Sequence, residues 1–369
     1  MEFLVILLAL VIVAGVVVPR LRGRRRERAL EEALRSPDGG HVVAELVAEH
    51  GFVPADRLDL RLPGPDPDLL AAVEEARRTQ DWKPAAALLA RTGAADEPER
   101  RWQRVQTLAG AAVRELAEQP GTGGMWLRHW RVVAPEDAGG AAVQAEFLVQ
   151  QALRDPSSQD YRMILEEART VCAEAARLAP DDVVPLITEL GVARGLGANE
   201  AEFQSLWERV VARAPQHMGA HLVALRYWSA AWHGSQRQAD TFAERAAAGA
   251  PQGSLLPALP LFAVHDHLPD VNLVRGLYES VVVRQAIEGA QYAVAHAPEN
   301  HPVLPHVRHL LVWFLVNAER YGEAVEQLRR VDGHIGAVPW THEKDPLAAY
   351  TTYRALAVAG WEAGRRNSA

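Results

Sequence analysis

The stretch VVPLITELGVARGLGANEAEFQSLWERVVAR, residues 183–213, decides the fold. In its second half Phe203, Leu206, Trp207, Val210 and Val211 fall at i, i+3, i+4, i+7 and i+8. That spacing is the stripe of an amphipathic helix with one buried face. Residues 183–194 predict a preceding helix, with Pro185 tolerated in its opening turn. The GLGAN stretch at 195–199 predicts the turn between them. A single hairpin of this kind cannot bury both helices by itself, so it needs neighbours of the same kind.

The neighbours are visible as a recurring Ala-Pro-x unit that closes long helical runs. It stands at Ala134-Pro135-Glu136, Ala179-Pro180-Asp181, Ala214-Pro215-Gln216, Ala250-Pro251-Gln252 and Ala297-Pro298-Glu299. The proline spacings are 45, 35, 36 and 47. Two of the four match a two-helix repeat of about 34 residues. The longer two contain candidate insertions, at 155–160 and around 268–280. Proline cannot continue the helix it follows and is pre-set for the first turn of another. Further helices are predicted at 68–79, 84–91, 97–118, 141–153, 218–232, 236–248 and 325–331. A short run, SVVV at 280–283, is the best strand candidate. Together these predict an all-α chain.

The segment 317–324 (NAERYGEA) leading into 325–331 resembles the inter-helix turn and second helix of a tetratricopeptide repeat. Ala179-Pro180-Asp181 resembles the closing element of that repeat. The resemblance spans roughly residues 123–332 and is divergent: the tryptophan near the start of the first helix and the Leu-Gly pair are mostly missing. Residues 129–256, including YWSAAWHGS at 227–235, also resemble a bacterial family of uncharacterised proteins of helical-hairpin architecture. The resemblance implies a TPR-like α-solenoid and no particular activity.

The N-terminal end reads differently. Residues 3–18 (FLVILLALVIVAGVVV) form an unbroken apolar run of 16, followed by Pro19. As a helix it spans about 24 Å, against about 30 Å of hydrocarbon core. Arg20, Arg22, Arg24, Arg25, Arg26 and Arg28 follow at once. A cleaved signal peptide carries its positive charge before the apolar run, and here the order is reversed. A buried soluble helix seldom lacks any polar face. The preferred expectation is a single membrane anchor over 1–19, N-terminus outside, with the arginines and the rest of the chain on the cytoplasmic side. A basic juxtamembrane segment and linker then occupies 20–67, and a helical-repeat domain occupies 68–369. The net charge of −8 is an average of two parts. Residues 1–28 sum to +4, so residues 29–369 carry −12. The acidic body, and an arginine cluster without interleaved aromatics, argue against nucleic acid as a partner. The one cysteine, Cys172, excludes an internal disulfide and any cysteine-based zinc site.

Catalytic patterns are weak. His217 and His221 stand at i, i+4, but Met218 occupies the position where a zincin needs its glutamate. His265 with His267, and His301, His306 and His309, are short clusters better read as surface or capping histidines than as metal ligands. No G-x-S-x-G occurs, and Gly121–Gly124 lacks the strand and lysine of a phosphate loop. Neither a metal nor a cofactor is expected. The i, i+4 pairs Trp126/Trp130 and Trp228/Trp232 are expected in the core between repeats. First helices of such repeats line a binding face, so Arg194, Arg226, Tyr227 and Trp228 are the candidate groove residues. The expected function is a membrane-anchored cytoplasmic scaffold that binds a protein or peptide. An enzyme using the histidine clusters, and a structural subunit of a membrane complex, are the alternatives.

Overall fold

A computed structural model describes residues 47–93, 97–268 and 276–368. Residues 1–46, where the anchor, the arginine cluster and the start of the spacer are expected, lie outside the described residues. Among those described, the chain is all-α with no strand, and no helix is long and apolar enough to cross a membrane. It divides into two compact units. Of the described residues, one unit comprises those within 65–267 and 288–304, and the other those within 47–64, 276–287 and 305–368, with residue 268.

The first unit is a succession of helices: α1 (Pro67–Thr79), α2 (Lys83–Arg91), α3 (Pro98–Glu118), α4 (Met125–Val133), α5 (Ala138–Arg154), α6 (Tyr161–Leu178), α7 (Val184–Leu196), α8 (Glu200–Arg213), α9 (Met218–Trp228), α10 (Gln236–Ala248) and α11 (Leu259–Asp266). It also takes the C-terminal part of α12 (Val281–His296). The helices pair as hairpins, α5 with α6, α7 with α8 and α9 with α10. First helices pack on one another in the order α3, α5, α7, α9, α11 and form an inner row.

The Ala-Pro units make this succession regular, in a way the sequence reading placed wrongly. The proline does not open the next helix. It sits in a turn closed by a backbone hydrogen bond, from Asp137 to Ala134, Asp182 to Ala179 and His217 to Ala214 (3.1, 3.1 and 3.2 Å). The later copies run one residue longer, from Ser254 to Pro251 and His301 to Pro298 (3.2 and 2.9 Å). The residue that closes each turn then accepts a backbone N–H at the start of the next helical segment. The five acceptors are Asp137, Asp182, His217, Ser254 and His301. Satisfying those orphan N–H groups is what a cap does, and it fixes where each first helix begins.

Other details shift as well. Residues 155–160 are the turn of the α5–α6 hairpin rather than an insertion; the long spacing comes from the length of α5 and α6. The Val281–Val283 run opens helix α12, with Ser280 accepting the Val283 N–H, so the strand expectation fails. Helix α9 ends at Trp228, four residues short of the predicted limit. There the chain folds back, Ser235 N–H reaching the Trp228 carbonyl at 3.0 Å. A Cβ on Gly234 would stand 2.1 Å from that carbonyl, so only glycine fits.

In the second unit, α13 (Leu304–Asn317), α14 (Tyr321–Val331) and α15 (Pro346–Ser368) carry most of the helix. The turn between α13 and α14 is short because Glu319 adopts a left-handed conformation (φ 58°), and α14 starts at Tyr321, ahead of the predicted 325. Residues 52–64, expected as part of a spacer, are stitched into this unit. Asp59 N–H donates to the Gly333 carbonyl, and Ile335 N–H to the Asp59 carbonyl, both at 2.8 Å. Asp332 accepts the Val53 N–H at 2.7 Å. Buried His309 completes the stitch: Trp340 Nε1–H donates to its Nδ1, and its Nε2–H donates to the Pro63 carbonyl, both at 3.0 Å. This pairing sets the neutral tautomer, and burial pushes the imidazole down to about 3.

His309 therefore binds a proton more readily unfolded, near 6.5, than folded. Its contribution is complete above about pH 6.5 and is lost as pH falls toward 3. Between pH 7 and 5 the loss is about 2 kcal/mol. The amide of His309→Gln matches both hydrogen bonds without titrating. Denaturant unfolding at the two pH values should show a fall about 2 kcal/mol smaller in that variant than in the native chain; equal falls would contradict this account of His309.

Candidate functional site

Helices α3, α5, α7 and α9 meet around a pocket of about 310 Å³ on the inner row of the first unit. Trp102 of α3 forms one wall. It can approach because α9 carries Gly219 there; a Cβ at 219 would stand 2.6 Å from the indole. Leu222 and Val223 of α9 add apolar lining. The floor is polar and centred on Glu146 of α5. Gln150 Nε2–H donates to Glu146 Oε1 at 2.9 Å, and Thr188 Oγ–H donates to Oε2 at 3.1 Å. Burial pushes this carboxyl up to about 7, against the pull of Gln150, Thr188, Gln106 and the charge of Arg194.

Arg194, in the last turn of α7, borders the same pocket and is only 6% exposed. Its backbone is held by the turn after α9, where His233 Nε2–H donates to the Arg194 carbonyl at 2.7 Å. Its guanidinium lies over Trp232, 4.5 Å from the ring centroid. Its Nε has no hydrogen-bond partner. Among the described residues no carboxylate lies within ion-pair distance of it.

The other buried arginines of this unit behave differently. Arg101 Nε–H donates to Asp182 at 2.5 Å, and Arg104 grips both oxygens of Asp66 at 3.0 and 3.1 Å. A buried charge without a partner costs several kcal/mol, which is why buried charges are normally paired. Glu146 lies within electrostatic reach of Arg194 but outside ion-pair distance, and its oxygens take the Gln150 and Thr188 donors. Arg226 of α9 lines the pocket as well, is exposed, and adds a second positive charge that lowers Arg194, after desolvation, to about 10.

The four sequence candidates thus separate. Arg194 and Arg226 come together at the pocket, whereas Tyr227 and Trp228 turn the other way into the core. The Tyr227 ring stacks on Phe203 at 3.6 Å and its hydroxyl donates to the Ala198 carbonyl at 2.8 Å. Trp228 meets Phe203 edge-on at 5.9 Å. Trp126 and Trp130 are fully buried, as expected. Trp232 instead leaves the helix and becomes the platform under Arg194. Glu146 escaped the sequence reading; its signal was a single carboxylate inside the apolar run 141–149.

Two of the histidines, His217 and His301, come together at Glu99, at 3.2 and 3.9 Å; the others are spread out. His217 caps α9, accepting the Ala220 N–H at 3.0 Å, and burial pushes it down to about 3. His221 Nδ1–H donates one turn back to the His217 carbonyl at 2.9 Å. His267 joins the end of α11 to the turn after α9, donating to the Ala263 carbonyl and accepting the Ala230 N–H. His301 caps as described above, while His309 belongs to the other unit. Among the described residues no group of three or more such side chains could hold a metal ion. Cys172 is buried in α6, and burial pushes its thiol well up, which makes it unreactive.

Removing the unpaired charge should relieve strain. Arg194→Met keeps the stem over Trp232 and forfeits a cation–π contact of about 1 kcal/mol, against a desolvation cost of several. The variant should therefore unfold about 1–2 kcal/mol later than the native chain in a denaturant titration; a loss of stability would show that Arg194 is already satisfied. Comparison of the chain with protein families, curated proteins and solved structures returned no significant match.

Proposed function

We propose that the chain is a membrane-anchored scaffold whose body, a TPR-like α-solenoid in the cytoplasm, binds a protein or peptide through the inner helix row of its first unit. The unpaired, buried Arg194 beside the pocket carries this reading. Stability alone would replace such a charge by a hydrophobe or give it a carboxylate, as Arg101 and Arg104 have been given. A cation kept without a partner inside a pocket is explained by a partner that arrives from outside. Hairpins stacked side by side supply an extended face for that partner, in the manner of helical-repeat proteins. The apolar run at 3–18 and the arginines behind it support the tether and its orientation. Tethering would raise the local concentration of the face for partners at the membrane.

Crosslinking in intact cells followed by affinity capture of the full chain tests this. The double variant Arg194→Met, Arg226→Glu should lose at least one protein that the native chain captures, while remaining folded by circular dichroism. An unchanged set of captured proteins would count against this face. External protease on the same cells should leave the body intact; its digestion would overturn the orientation.

A further inference from the structure

The shape and charge of the pocket narrow what can enter it. One end is lined by Arg194, which has no carboxylate partner and whose Nε–H is sealed from solvent without a bond, and by the exposed Arg226. The floor presents Glu146, already held by Gln150 and Thr188. The walls are Trp102, Leu222 and Val223. An anion is required at the arginine end and an apolar body beyond it. The planar guanidinium fork matches the two coplanar oxygens of a carboxylate. A dianion such as phosphate would carry a second charge toward the Glu146 carboxyl and find no helix N-terminus to receive it. The volume is near the lower bound for ligand pockets, enough for a group of one residue's size.

We propose that this pocket binds a monocarboxylate carrying an apolar body, the carboxylate received by Arg194 and Arg226 and the body lying against Trp102, Leu222 and Val223. The assignment rests on the reading of the inner helix row as the binding face, and it supplies the chemistry of what is bound there. Two sources share that chemistry, a free small organic acid and the C-terminal residue of a polypeptide. In either case the ligand supplies the counter-charge that the fold withholds from Arg194. Asp266 is the other nearby acid and acts on Arg226 from outside the pocket lining.

Calorimetric titration of the purified full-length chain in detergent tests this. The probes are N-acetyl-leucine, N-acetyl-leucinamide, inorganic phosphate, and an N-acetylated alanine hexapeptide ending in leucine with a free or an amidated C-terminus. The free acids should bind about tenfold or more tightly than their amides, a difference of one charge-assisted hydrogen-bonded contact. Arg194→Met, checked for folding by its melting curve, should remove that difference by weakening the acids and leaving the amides unchanged. Equal affinity for the two acids assigns the site to a small organic acid, and about tenfold tighter binding of the peptide acid assigns it to a chain terminus. Three results would overturn the proposal: acids and amides binding alike, phosphate binding as well as the acids, or no heat from any probe at millimolar concentration. If one of these occurs while the double variant still loses captured proteins, the binding face stands and the carboxylate assignment alone falls.

Discussion

The first helices α5, α7, α9 and α11 each follow a turn whose closing residue reaches forward and takes an N–H from the segment ahead. The preceding helix is stopped by an Ala-Pro pair, the chain makes one hydrogen-bonded turn, and an aspartate, serine or histidine closes it. Because the proline has no N–H and the cap has one acceptor to place, the chain has little freedom at this point. Repeated before α5, α7, α9 and α11, this constraint sets those first helices side by side. The rest of the unit follows from it: the row of inner helices, the polar floor contributed by α5, and the arginines brought forward from α7 and α9. His217 shows the economy of the arrangement, since a residue that resembles a metal ligand in sequence spends its ring nitrogen on a cap.

The pocket is the place in this unit where a buried charge goes unpaired. Elsewhere in the unit buried arginines have carboxylates, and the buried unbonded side-chain atoms, the Trp126 and Trp130 indole N–H groups among them, belong to neutral groups. At Arg194 the nearest acid, Glu146, has both oxygens committed to neutral donors, and the guanidinium rests on an aromatic face. A cation–π contact of this kind recovers only part of what desolvation takes. A stable fold tolerates a few such conflicts, and they concentrate where binding or catalysis needs them.

Much of this was legible in the sequence and some was not, for physical reasons. The stripe Phe203, Leu206, Trp207 and Val210 is buried as its spacing demanded, because helical periodicity is a local property. Arg194 and Arg226, named for their place on first helices, line the pocket, whereas Tyr227 and Trp228 are buried in the core: each step along a helix turns the side chain by about 100°, so neighbours of a groove residue face the core. Trp232 was misread because the end of α9 depends on Gly234 closing against the Trp228 carbonyl. The proline was assigned to the next helix because the sequence does not show that a separate residue does the capping. Least legible was the joining of residues 52–64 to the C-terminal elements. His309 and Pro63 are 246 positions apart, and no local pattern announces such a contact.

The central claim is that Arg194 awaits an acceptor from outside the chain. The most direct measurement is a crystal structure of the full chain grown with N-acetyl-leucine. The account predicts a ligand carboxylate oxygen about 3 Å from a terminal guanidinium nitrogen of Arg194, with Glu146 still bonded to Gln150 and Thr188. A pocket holding no ligand, with Arg194 swung onto the Glu146 carboxylate, would contradict it.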